Sequence, residues 1–172
     1  MYYGKIKKSD IADGHGVRVS LFVSGCRNRC PGCFNKETWS FTYGKEFTDD
    51  TMNEILEALK PAYIKGFSIL GGEIMEEENQ PKVLEIIQRV RKEFPQKDIW
   101  AWTGYVYDRD LVEGGRKYIK GITDEIINNI DVLVDGPFIA EKKDISLQYC
   151  GSLNQRVLKI SQINKNSILV AK

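Results

Sequence analysis

The sequence predicts an α/β fold with a mostly parallel, open sheet, and three observations carry that expectation. Short apolar runs at 17–23, 67–70, 98–102 and 131–135 have the alternation or β-branched content of strands. Between them lie segments whose apolar residues recur at helical spacing, and such alternation implies right-handed βαβ units with parallel strands. Length is the third observation: a closed eight-unit barrel takes about 250 residues, and 172 are present. Only about four or five units fit, so the sheet is expected to stay open.

Each element has its own warrant. Val17, Val19, Leu21 and Val23 alternate with Arg18, Ser20 and Phe22 and stop at Gly25, which reads as the first strand. Residues 36–48 are polar and aromatic without a period and read as loop. Asp49 or Asp50 is placed to cap a helix with Met52, Ile55, Leu56 and Leu59 on one face, ending before Pro61. Residues 67–70 form a second strand running into Gly71-Gly72-Glu73. Pro81 opens a second helix with Val83, Ile86, Ile87, Val90 and Phe94 on its apolar face, and Pro95 closes it. Residues 98–102 form the third strand, and 105–121 read as irregular with a turn at Gly114-Gly115. Thr123 is expected to cap a short helix carrying Ile126, Ile127 and Ile130. Residues 131–135 form the fourth strand, stopped by Gly136-Pro137. After a loop to Asn154, residues 156–160 and 167–170 read as a final pair of short strands.

The bulk properties exclude several classes. One domain spanning 1–172 is the size prior, and a chain this long buries about 70% of its unfolded surface, so no staple is needed. A net charge of +1 gives no bias toward nucleic acid or a membrane surface. No run of 18 apolar residues exists, and Met1–Lys5 lacks the apolar core of a secretion signal, so a cytoplasmic location is expected. Three of the 4 cysteines are clustered, which suits a reducing compartment.

That cluster, Cys26, Cys30 and Cys33, has the spacing C-x3-C-x2-C. Thiolates this close suit zinc, Cu(I) or an iron–sulfur cluster. A closed zinc site needs four ligands; the run lacks a second C-x2-C pair, and the single histidine, His15, has no partner. A four-iron cluster held by three thiolates leaves one iron open to a small molecule, so the spacing reads as a catalytic [4Fe-4S] centre.

The run Cys26-Arg27-Asn28-Arg29-Cys30-Pro31-Gly32-Cys33-Phe34-Asn35 resembles the signature of radical S-adenosylmethionine (radical SAM) enzymes. The stretches 13–18 (Asp-Gly-His-Gly-Val-Arg) and 22–25 (Phe-Val-Ser-Gly) resemble, more narrowly, the family of activating enzymes of anaerobic, class III ribonucleotide reductases. The resemblance covers about residues 10–157 and implies a partial β/α barrel of the radical SAM type. It implies that Gly71, Gly72 and Glu73 hold the amino group of S-adenosylmethionine, though Ile74 stands where many relatives have Pro. It puts Gly32, Cys33, Phe34 and Asn35 against the adenine side, with Asn35 either orienting the loop or reaching the nucleoside.

The same resemblance places 13–18 beside the active site, with Arg18 either serving an anion or simply facing outward from its strand. Trp102-Thr103-Gly104-Tyr105 and Asp135-Gly136-Pro137-Phe138 resemble family blocks, so Thr103 and Asp135 are candidates for ligand or cation contact, or plain strand-ending residues. Gly151–Arg156 resembles the closing block, preceded by Cys150, which reads as a free thiol. Gly14, Gly71, Thr103, Asp135 and Gly151 are all expected at the carboxyl ends of the strands. The implied chemistry is reductive cleavage of S-adenosylmethionine and formation of a glycyl radical on the reductase large subunit, with an electron from a low-potential donor such as flavodoxin. The activating enzyme of pyruvate formate-lyase and a non-catalytic zinc module are the alternatives.

Overall fold

The computed structural model describes residues 1–163. Seven strands form one sheet: β1 (Tyr2–Asp10), β2 (Val17–Val23), β3 (Lys45–Glu46), β4 (Ile64–Gly71), β5 (Asp98–Trp102), β6 (Val132–Asp135) and β7 (Arg156–Lys159). Their order is β3-β1-β2-β4-β5-β6-β7. The central four, β2, β4, β5 and β6, run parallel; β1 and β7 pair antiparallel with β2 and β6, and β3 pairs antiparallel with β1. The helices are α1 (Asp49–Leu59), α2 (Gln80–Glu93), α3 (Tyr107–Asp110), α4 (Thr123–Asn129) and α5 (Ile160–Ile163). The α/β architecture with a parallel centre stands as expected; the antiparallel flanks make the sheet mixed.

Strand alternation gives the sheet two unlike faces. On one face Val19, Leu21, Phe67, Ile69, Ile99, Ala101 and Leu133 are completely buried and belong to a core shared with Ile55, Leu59, Ile86, Ile87 and Ile126 of the helices. The register places Ser20, Ser68, Trp100 and Val132 in one row of the other face, with Phe22 and Leu70 in the next row up and Trp102 beside Val134. No described helix is long and apolar enough to cross a membrane.

Several boundaries differ from expectation for identifiable reasons. The α1 cap is Thr48, not Asp49 or Asp50: its hydroxyl accepts from the Thr51 N–H, and the Thr51 hydroxyl accepts from the Thr48 N–H in return. Thr123 does not cap α4. It lies inside the helix, and its hydroxyl accepts from the Ile119 N–H and donates to Gln80 Oε1. β4 begins at Ile64, three residues early, because pairing with β2 recruits Ile64 and Gly66. The loop 36–48 contains the two-residue β3, and 105–121 contains α3. Of the expected final strands, the first is β7, but Ile160 already begins α5; 167–170 lies outside the described residues.

Candidate functional site

At the carboxyl ends of β2, β4 and β5 a cavity of about 550 Å³ opens. Cys26, Cys30, Gly32, Cys33, Phe34, Asn35, Gly71, Gly72 and Glu73 all line it, so one wall gathers two segments some 40 residues apart in the chain. Thr103, Gly104, Gly136, Cys150 and Gly151 line it from the other strand ends. Phe34 is 87% exposed at the rim.

The glycines explain how these segments come so close. Gly72 N–H donates to the Val23 carbonyl at 2.7 Å and Glu73 N–H to the Gly25 carbonyl at 2.8 Å. A Cβ on Gly72 would lie 2.8 Å from the Gly25 oxygen, and Gly25 itself has φ of +97° with the Phe41 ring where its Cβ would go. These glycines therefore serve the approach of one loop to another. The N–H groups of Gly72 and Glu73 are thus committed to the cysteine strand and loop, whereas the Gly72 carbonyl takes no hydrogen bond among the described residues.

All four thiols are free. Asn35 N–H points at Cys33 Sγ, 3.4 Å away, and Cys33 N–H closes a turn onto the Cys30 carbonyl at 3.1 Å. Burial and then the Glu73 charge push the Cys26 thiol up to about 11, against the N–H groups of Asn28 and Arg29 that favour its thiolate. Burial likewise raises Cys30. A metal centre deprotonates such thiols on binding. Among the described residues no three Cys, His, Asp or Glu side chains converge on a site for a single ion. The three thiols instead share the wall of a cavity, an arrangement suited to a group larger than one atom.

Glu73 is 2% exposed and collects four donors. Oε1 accepts from Thr103 Oγ1 at 2.7 Å and the Met75 N–H at 3.0 Å; Oε2 accepts from the Gly104 N–H at 2.8 Å and Asn28 Nδ2 at 3.0 Å. Burial pushes its carboxyl up to about 7 despite those donors. Asn28, on the cysteine loop, is the one half-exposed side-chain donor of the set and the one a ligand amine can replace. Thr103 thus reaches the site through Glu73, and its own oxygen accepts the Tyr105 N–H at 3.1 Å.

Asp135 does not line the cavity. It is completely buried in a two-pronged ion pair with Arg156, 2.9 and 2.5 Å, and accepts the Tyr107 N–H at 2.7 Å. Its role is to tie β6 to β7 and to the start of α3. The closing block works similarly: Asn154 donates to the Pro137 carbonyl and Gln155 to the Gly136 carbonyl, fastening the 136–139 turn under the cavity rim.

The stretch 13–18 is nowhere near the thiols. Arg18 sits at the amino end of β2, fully buried, donating to Asp98 Oδ1 at 2.6 Å, Ser68 Oγ at 2.7 Å and the Phe67 carbonyl at 2.8 Å, with Trp100 5.4 Å away. Gly14 packs on Arg18 and Trp100. The expectation that this segment flanks the active site is corrected, and Gly14 does not join Gly71, Thr103 and Gly151 at the strand ends. The cluster of Arg18, Ser68 and Trp100 closes the same face of the sheet beneath the cavity.

Sequence reasoning missed Asn28 and Glu76. Both act through long-range contacts, Asn28 on Glu73 and completely buried Glu76 on Arg27. The only available signal was position: one lies between the first two cysteines, the other three residues beyond Glu73.

Residues 12–158 match the family model described as a 4Fe-4S single cluster domain. The chain is 41% identical over 159 residues to the anaerobic ribonucleoside-triphosphate reductase-activating protein of Escherichia coli K12, covering 91% of this chain and 97% of that one. It is 41% identical over 157 residues to the protein of the same name in Vibrio cholerae, covering 90% and 96%. The counterpart in Enterobacteria phage T4 is 35% identical over 157 residues, covering 91% and 93%.

Proposed function

The chain belongs to the family of anaerobic ribonucleoside-triphosphate reductase-activating proteins, and on that premise we propose that it is a radical SAM activase that generates a glycyl radical on an anaerobic ribonucleotide reductase. The observation that carries this reading is the shared cavity: three thiols and the Gly-Gly-Glu loop with its buried carboxylate line one volume of about 550 Å³. Cys26, Cys30 and Cys33 are the ligands in this reading, holding a [4Fe-4S] cluster with one iron left open. A cluster bound there would supply one electron for the reductive cleavage of S-adenosylmethionine.

The residues of the chain bind, orient and shield. Glu73 takes the methionyl ammonium in exchange for Asn28, because a buried carboxylate favours a charged donor over an amide. The Gly72 carbonyl offers a second acceptor. Gly32 and Phe34 flank the adenine, and Asn35 braces Cys33 through its main-chain N–H. Leu70, Trp102 and Phe138 keep water from the reacting end. We extend the radical SAM reading to the whole chain, 1–172, with the sheet curled as a partial barrel around this cavity, acting in the cytoplasm with a low-potential donor such as flavodoxin. The glycine loop of the reductase large subunit enters at the mouth, where Phe34 and Ile145 are 87% and 93% exposed.

The deciding experiment is anaerobic reconstitution followed by electron paramagnetic resonance with reductase, S-adenosylmethionine and reductant. The protein is expected to be brown and to give a glycyl radical, absent when the target glycine of the reductase is replaced by Ala. A colourless zinc protein refutes the cluster; a radical persisting in the Gly→Ala reductase refutes the glycine target; activation of pyruvate formate-lyase instead moves the chain to that class.

A further inference from the structure

Glu76 is completely buried but does not line the cavity. Four donors converge on its two oxygens. Oε1 accepts the main-chain N–H of Arg27 at 2.9 Å and the Tyr105 hydroxyl at 3.2 Å. Oε2 accepts Arg27 Nη1 at 2.9 Å and Lys117 Nζ at 2.8 Å. Burial opposes its ionisation, but Lys117 and Arg27 outweigh burial and hold its carboxyl below the ordinary value.

The backbone of Glu76 is equally fixed. Its carbonyl accepts the N–H groups of Asn79 and Gln80 at 2.8 and 3.0 Å, at the start of the 14-residue α2. The acceptor is therefore part of a rigid element, while the donor belongs to the turn between two candidate iron ligands. That turn needs holding: Arg29 sits at φ of +47°, a region that residues with a Cβ avoid. The Cys26 N–H has only a long bond, 3.3 Å, to the Trp39 carbonyl. The Arg27 guanidinium, 53% exposed, lies 4.4 Å from the Phe41 ring and also pairs with exposed Glu78. A buried ion pair is by itself a weak stabiliser. A buried carboxylate receiving the main chain of a ligand loop is a device for orienting ligands.

We propose that Glu76 is a positioning residue that anchors the Arg27 main chain to the start of α2 and so fixes the turn from Cys26 to Cys30 for the cluster. This rests on the reading that the three cysteines hold iron. Removing the acceptor lets the turn open, and a charge-assisted hydrogen bond lost from a closed state shifts opening roughly ten- to a hundredfold.

The test is the rate at which a chelator strips iron from the anaerobically reconstituted full chain, together with the resonance spectrum of the reduced cluster. E76A is expected to lose iron roughly ten- to a hundredfold faster than the parent and to show an altered spectrum. E76Q keeps a carbonyl acceptor for the Arg27 N–H but turns its NH2 toward Arg27 Nη1 and Lys117 Nζ, so it is expected to strip at a rate between those of E76A and the parent. R27A keeps the N–H while losing the guanidinium, and E78A removes only the exposed partner; both are expected to strip like the parent. Parent-like stripping in E76A overturns the proposal, as does R27A stripping as fast as E76A, which would assign the role to the ion pair. Hydrogen exchange on the metal-free parent gives a second measure if E76A does not fold: the Arg27 amide is expected to be protected at least about tenfold relative to an unstructured chain, and an unprotected amide overturns the anchor. A parent that takes up no iron refutes the cluster reading, and the exchange measurement still decides the anchor.

Discussion

Replacing Glu73 tests the proposed cofactor site most directly. In E73A, Thr103 Oγ1, the Met75 N–H and the Gly104 N–H lose their acceptor, having stood at 2.7, 3.0 and 2.8 Å from it. Each buried donor left unpaired costs about 1–3 kcal/mol, so the fold should lose about 3 kcal/mol or more. E73Q preserves the volume but not the pairing: each carboxylate oxygen accepts two donors, so the amide NH2 meets a pair of donors whichever way it turns. Neither change touches a thiol, so iron should be retained. The ligand ammonium loses one charge-assisted bond worth about 1.5–3 kcal/mol, which is roughly ten- to a hundredfold in S-adenosylmethionine affinity. Burial holds the carboxyl at about 7, so the parent's affinity should fall about tenfold from pH 8 to pH 6 as a proton neutralises the site, while E73Q stays flat. Equilibrium binding on protein of known iron content measures both. Unchanged affinity in E73Q, or the same pH profile in both proteins, refutes the role given to Glu73.

Further outcomes follow from other contacts. Cys26→Ala, Cys30→Ala and Cys33→Ala should each abolish the iron–sulfur absorption, and Cys150→Ala should keep it; loss in Cys150→Ala alone would reassign the ligands. Gly72→Ala should disturb cluster assembly, since its Cβ would meet the Gly25 oxygen at 2.8 Å; normal iron content would contradict the tight packing of the two loops. Arg18→Ala should lower stability in urea by about 3 kcal/mol or more, because it strips the partners of a buried cation, yet leave cofactor affinity intact; a selective loss of affinity would return 13–18 to the active site. Burial and the neighbouring Asp10 push the Asp13 carboxyl up to about 7, while Asp10, against its own burial, is held at about 2 by hydrogen bonds from Asp13 and others. A raised carboxyl favours folding in its protonated form, so this contribution is complete below about 3.8 and lost as pH rises through about 7. Urea midpoints of D13N and the parent should therefore diverge between pH 5 and pH 8, with D13N the more stable at pH 8; parallel curves would contradict this.

The parallel strands were legible because burial on both faces writes apolar runs, and Val17–Val23 and Asp98–Trp102 match end to end. β1 was not, because Tyr2–Asp10 carries Lys5, Lys7, Lys8 and Asp10 and becomes a strand only through its pairing with β2. That Cys26, Cys30, Cys33 and Gly71-Gly72-Glu73 line one cavity was readable from the cysteine spacing and from the strand ends these segments follow. Asn28 and Glu76 occupy positions that the motif leaves free, and their roles depend on partners 45 and 49 residues away. Arg18 misled for the opposite reason: a cation beside glycines suggests an anion site, and only the register shows that Asp98 lies beside it. Asp135 was equally ambiguous until Arg156 appeared across the β6–β7 pair.

The row of Ser68 and Trp100 that closes the sheet face beneath the cavity has a kinetic consequence. Leu70 and Trp102 line the cavity, but Ser68 and Trp100 one row below do not, so the chamber is closed on the sheet side, and in the activase reading cofactor and partner both enter from the side away from it. Anything seated deep must arrive before whatever occupies the mouth, and must leave after it. S-adenosylmethionine would therefore load ahead of the reductase loop, and methionine and deoxyadenosine would stay trapped until that loop withdraws. Turnover would be governed by separation of the two proteins, and excess reductase would slow the exchange of spent cofactor for fresh.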